Sequence, residues 1–179
     1  GLEGEPEAAP ANIASGRSRC PSCGHPIAWY DNIPVLSWLV LRARCRHCEG
    51  AISARYPVVE LVTAILSVIV IWQLGSDTAG FAGLLLTWTL IAATGIDLDH
   101  QLLPDQLTLP LVWLGLFLNI FGVFTDLESA VIGAIAGYLA LWLVFHAFRL
   151  ITGKEGMGYG DFKLLAAIGA WFGWQVLPT

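Results

Sequence analysis

The chain has 179 residues, of which 56% are hydrophobic and only 13% charged, and its mean hydropathy is +0.67. So little charge excludes an ordinary soluble domain and points to a protein folded in lipid. A net charge of −5 argues against nucleic acid as the main partner.

Residues 1–18 are Pro- and Ala-rich, carry Glu3, Glu5 and Glu7, and read as a flexible segment. They lack the basic start and apolar core of a secretory signal. The chain opens on Gly1 rather than Met and stops at Thr179 with little to finish its last helix, so it is expected to be incomplete.

Residues 19–55 contain all four cysteines, as CPSC (Cys20, Cys23) and CRHC (Cys45, Cys48). Two such knuckles, each presenting two thiolates to one tetrahedral ion, form a zinc pattern, although the gap between them exceeds the usual range. Four cysteines would fill the coordination shell and leave no place for a catalytic water, so the Zn2+ is expected to be structural. His25 and His47 lie beside the knuckles as alternative ligands. Disulfides are the competing reading, and a reducing cytoplasm disfavours them. Trp29, Tyr30 and Trp38, between the pairs, suggest either an apolar patch on a membrane surface or the packing of a small zinc-closed domain.

From residue 56 onward the chain is a succession of apolar runs. Spans are predicted at 58–75, 79–96, 106–124, 128–148 and 162–179, all helical because unpaired backbone cannot sit in lipid. The predicted fold is therefore an all-α polytopic membrane protein, with about five transmembrane helices after a small cytoplasmic zinc-binding head built on four cysteines. Arg17, Arg19, Arg42, Arg44, Arg46 and Arg55 precede the first span, and Arg149, Lys154 and Lys163 flank the loop between the fourth and fifth. The loops on the other side carry Asp77 and Asp126 without Lys or Arg. The positive-inside rule then puts the cysteine head and the loop before the fifth span in the cytoplasm.

The same parity brings two acidic segments to one face: DLDHQLLPD, residues 97–105, and GKEGMGYGDFK, residues 153–163. Asp97 and Asp161 can then meet at the cytoplasmic ends of helices and share a proton, as an aspartic protease requires. Asp99 and Asp105 read equally well as solvated loop acids. Gly156, Gly158 and Gly160 are expected to allow positive φ and the close approach of an extended substrate. The segment lacks the Lys-Ser/Thr of a phosphate-binding loop.

These residues resemble the bacterial type IV prepilin peptidases, a group of Gly-x-Gly-Asp intramembrane aspartic proteases. The double Cys-x-x-C head, RYPVVE, IDLDHQLLPD and GYGD (residues 158–161) carry the resemblance from Arg19 to Thr179. It implies catalytic roles for Asp97 and Asp161 and zinc ligation by Cys20, Cys23, Cys45 and Cys48. It also implies an enzyme of the bacterial inner membrane that cleaves the leaders of type IV prepilins and type II secretion pseudopilins. Methylation of the new N-terminus by S-adenosylmethionine would follow. Glu60, just inside the first span, is a candidate for binding that cofactor or the amine, and an ion pair with Arg55 would explain it as well. Family members have a further helix before the head and more after the position of Thr179. Alternatives are another Gly-x-Gly-Asp protease, such as a preflagellin peptidase or presenilin-like enzyme, a zinc-headed transporter, or a structural zinc module on a membrane.

Overall fold

The computed structural model describes residues 19–20, 22–33, 35–154 and 158–178. The segment expected to be flexible, residues 1–18, lies outside the described residues, as do Gly156 and the side chain of Trp29. Among the described residues the protein is helical, with only two isolated β-bridges, and it forms two compact units, Gly1–Ala64 and Ile65–Thr179.

The first unit holds two knuckles with the same hydrogen-bond circuit. In one, the Cys20 N–H donates to the His25 carbonyl and the Gly24 N–H to the Cys20 carbonyl; in the other, Cys45 donates to Gly50 and Glu49 to Cys45. Each knuckle is closed by a bridge, Arg19 with Pro26 and Arg44 with Ala51. The circuit needs a left-handed residue just after the second cysteine. Gly24 (φ 69°) supplies it in one knuckle and Glu49 (φ 54°) in the other. A short helix α1 (Leu36–Val40) lies between the knuckles. Trp38 packs inward and donates from Nε1 to the Ile52 carbonyl, whereas Tyr30, Leu36, Leu39 and Val40 are exposed.

The remaining helices are α2 (Arg55–Leu74), α3 (Thr78–His100), α4 (Asp105–Ile120), α5 (Leu127–Thr152) and α6 (Tyr159–Phe172). Side chains start two of them. Asp77 accepts from the Ala79 and Gly80 N–H groups at the head of α3, and Asp126 from Ser129 at the head of α5. Left-handed residues end the same two helices, Gln101 after α3 and Gly153 after α5.

α2, α3 and α5 are long and apolar enough to cross a membrane. α4 and α6, expected as spans 106–124 and 162–179, are shorter, with 16 and 14 residues. At 1.5 Å per residue that is about 24 and 21 Å. The shortfall has a physical cause. The Asn119 amide, 2% exposed, donates to the Ala170 and Trp171 carbonyls and accepts from the Phe124 and Thr125 N–H groups. One side chain thus caps the end of α6 and fixes the turn after α4; Gly122 (φ 65°) and Gly173 (φ 83°) then redirect the chain.

α6 is the centre of the second unit rather than a lipid-facing helix. Phe162, Ala166, Ala167, Ala170 and Trp171 are buried, packed between α4 and α5. Close approach depends on missing side chains. A Cβ on Gly137 of α5 would fall 2.6 Å from the Leu165 carbonyl, and Gly133 and Gly169 meet backbone to backbone. Trp171 lies on Gly115 of α4 and donates to the Leu111 carbonyl, with Ala82 and Leu86 of α3 completing the cluster.

Candidate active site and metal centre

Asp97 does not sit in a loop: α3 continues past the predicted end at 96, so Asp97 and Asp99 lie in its last turns. Acids and a histidine at the polar end of a long helix still permit helical hydrogen bonding. The Asp97 carbonyl accepts from the Gln101 N–H at 2.7 Å, closing the helix, and Asp97 itself is exposed. Asp161 is half-buried in the first turn of α6. Its Oδ2 lies 3.9 Å from where a Cβ on Gly158 would stand, so the carboxylate turns back toward the start of its own helix.

The glycines here do something other than expected. Gly158 has φ −79° and Gly160 is helical, so neither takes positive φ. Gly160 is instead a contact point: a Cβ there would lie 2.5 Å from the Leu103 Cβ and 3.0 Å from the Leu103 carbonyl. The segment that follows Asp97 therefore rests on the residue that precedes Asp161. A little further along each segment, Lys163 Nζ donates to Asp105 Oδ1 at 2.5 Å. Asp105 is thus an ion-pair partner at the first residue of α4. On the opposite side, Tyr159 and Phe162 pack against Phe145 of α5, with ring centroids 5.3 and 5.6 Å apart. Asp161 is thereby flanked by an aromatic cluster and by the segment that ends in Asp105. No hydrogen bond joins the Asp97 and Asp161 carboxylates.

In the first unit, the four cysteine sulfurs lie within 4.8 Å of one another, and Cys20 Sγ is 3.8 Å from Cys48 Sγ. Sulfurs about 2.3 Å from a tetrahedral ion are about 3.8 Å apart, so this set fits zinc. His25 and His47 do not join the cluster; their rings stack on each other at 3.6 Å. The thiols are electrostatically unlike. Backbone hydrogen bonds from Cys23 and Ser22 pull Cys20 down to about 6. The Gly50 N–H favours the Cys48 thiolate, but the Cys23 thiol, burial and the other two cysteines push Cys48 up to about 11. Arg46 grips Asp31 with two bonds, of 2.8 and 2.6 Å, and holds its carboxyl below the ordinary range.

The same unit contains a cavity of about 500 Å³, within the range of small-molecule sites. Trp38, Tyr56, Ser37, Asp31 and Glu60 are among its lining residues. Sequence reasoning singled out Glu60 but not the cavity, which needs α1 and the start of α2 to be placed together.

Residues 84–179 match the type IV leader peptidase family, and residues 6–74 match the bacterial peptidase A24 N-terminal domain. The chain is similar to the prepilin leader peptidase/N-methyltransferase of Aeromonas hydrophila, at 63% identity over 94% of this chain and 58% of that protein. It is also similar to proteins of the same description from Pseudomonas aeruginosa (57% identity, 99% of this chain and 61% of the relative) and Neisseria gonorrhoeae (51%, 94% and 59%). The chain thus spans about three-fifths of the length of these relatives. No solved structure matches it significantly.

Proposed function

The chain belongs to the type IV leader peptidase family, and from that premise we propose that the protein is a membrane-embedded aspartic endopeptidase acting on type IV prepilins and type II secretion pseudopilins. It removes the leader peptide and then N-methylates the new N-terminus. The observation that carries this reading is the seating of Leu103 on Gly160, which joins the segment after Asp97 to the start of the helix that bears Asp161.

Asp97 and Asp161 act as a pair. One carboxylate takes a proton from water as the water oxygen attacks the scissile carbonyl, and the other, protonated, donates to the developing oxyanion. Collapse of the tetrahedral intermediate breaks the C–N bond, and the leaving amine takes a proton from the pair. The basic residues before the first span and around the loop to α6 support placing the head and both acids at the cytoplasmic face of the bacterial inner membrane. A substrate's polar leader would then stay in water while its apolar helix lies in lipid. Residues 19–55 form the zinc head and 56–179 the peptidase domain. Zinc bound by Cys20, Cys23, Cys45 and Cys48 has a filled shell and is structural.

When bound, S-adenosylmethionine supplies an electrophilic methyl group on a sulfonium cation. The head cavity suits a ligand of that chemistry. Trp38 and Tyr56 offer aromatic surface to a cation, and the Glu60 carboxylate opposes positive charge, while Asp31 is committed to Arg46.

The test uses the full-length protein in detergent with a prepilin-like precursor. Asp97→Asn and Asp161→Asn should each abolish cleavage in protein that remains folded; processing by both variants at the wild-type rate would reject the site. Photolabelling with radioactive S-adenosylmethionine addresses the cavity. Glu60→Gln should weaken labelling, and undiminished labelling would remove Glu60 from the site.

A further inference from the structure

We infer that Lys163 is a positioning residue: its ion pair with Asp105, with Leu103 seated on Gly160, forms a latch that sets the spacing of the proposed catalytic pair. This rests on the peptidase reading and adds a role to two residues outside that pair.

Only residues 101–104 separate the end of α3 from Asp105 at the start of α4. The Gln101 N–H is bonded to the Asp97 carbonyl, Leu103 lies on Gly160, and Asp105 is paired with Lys163. Successive residues of this linker are therefore fixed, first to the helix of Asp97 and then to the helix of Asp161. A contact at Gly160 alone would act as a pivot; the second, at Lys163, stops rotation about it.

The charge is placed to act on the neighbouring helix rather than on Asp161. Residues two apart on a helix do not face each other, so Lys163 is directed away from the Asp161 carboxylate. A cation so near the start of α6 opposes the helix dipole, and Asp105 at the start of α4 complements its own. The side chains are 24% and 56% exposed, and pairs this open add little to folding. Their effect is geometric, and small displacements of reacting groups cost up to about 100-fold in rate.

The experiment compares the full-length wild type in nanodiscs with Lys163→Met, Asp105→Asn and the charge-swapped double variant Asp105→Lys/Lys163→Asp. It reads kcat and KM for a prepilin-like precursor, and amide hydrogen exchange at Gln101, Leu102 and Leu103. Each single variant should lower kcat about 10-fold or more, leave KM within about twofold and speed the exchange. The swap should recover part of both, incompletely because the dipole of α4 disfavours a cation at its first residue. Wild-type kcat in the single variants would overturn the latch. So would a swap as impaired as the single variants, or a fall in kcat with unchanged exchange, which would mean that Lys163 acts on substrate. If the wild type cleaves nothing, the peptidase reading fails and exchange decides alone. Acceleration reversed by the swap upholds the latch, and unaltered exchange overturns it.

Discussion

The Asn119 side chain donates to the main-chain carbonyl of Trp171 at 2.9 Å, from a site only 2% exposed, and so determines where α6 ends. Its other three bonds, to Ala170, Phe124 and Thr125, leave the buried amide fully used. Asn119→Ala strands two buried carbonyls and two part-buried N–H groups and should cost about 3 kcal/mol, measured by denaturation in mixed micelles. Asn119→Asp, which sets a carboxylate against the Ala170 and Trp171 carbonyl oxygens at a buried site, should cost at least as much. An alanine variant as stable as wild type would refute the cap.

Gly160→Ala should disturb the proposed site without touching either acid. The added methyl meets the Leu103 Cβ and carbonyl, so the linker must move away from α6. Cleavage should fall about 10-fold or more. Adding Leu103→Gly removes the nearer of the two clashes and should restore part of the activity. Full activity of Gly160→Ala alone would mean that the linker accommodates the methyl freely.

The matched knuckles give a prediction about stability. Glu49 holds the left-handed conformation that Gly24 takes in the other knuckle. Glu49→Gly should therefore stabilise its knuckle by about 1 kcal/mol, and Gly24→Ala should destabilise the other by a similar amount. Slower amide exchange at Cys45 in the first variant, and faster exchange at Cys20 in the second, would register the effect.

Metal binding should depend on pH in a definite direction. All four thiols must be deprotonated to ligate. In the metal-free head Cys20 loses its proton near 6, but its neighbours hold Cys48 protonated to about 11. Zinc must therefore displace protons at neutral pH, and its apparent affinity should rise from about pH 6 to about pH 8. Competition against a chromophoric chelator measures this. A flat profile would show that the four thiols are not the ligands.

Much of the architecture could be read in the sequence because it is written in runs. α2, α3 and α5 follow from uninterrupted hydropathy, and the convergence of four sulfurs follows from paired Cys-x-x-C spacing. What escaped was set by contacts between distant residues. The ends of α4 and α6 depend on one amide, at Asn119, reaching across to Ala170 and Trp171, and no local signal marks it. Gly160 looked like backbone freedom, because its crowding by Leu103 appears only once the two segments are brought together. Lys163 was counted as one more cytoplasmic charge, when its partner at Asp105 makes it specific.

α4 and α6 run in the same direction, fastened near their starts by Asp105 with Lys163 and near their ends by Asn119 with Ala170 and Trp171. Rods pinned at both extremities cannot slide past one another or splay like a hinge. Relative movement within the second unit is therefore easier for α3, which touches this pair more lightly than α5 does, than between α4 and α6 themselves.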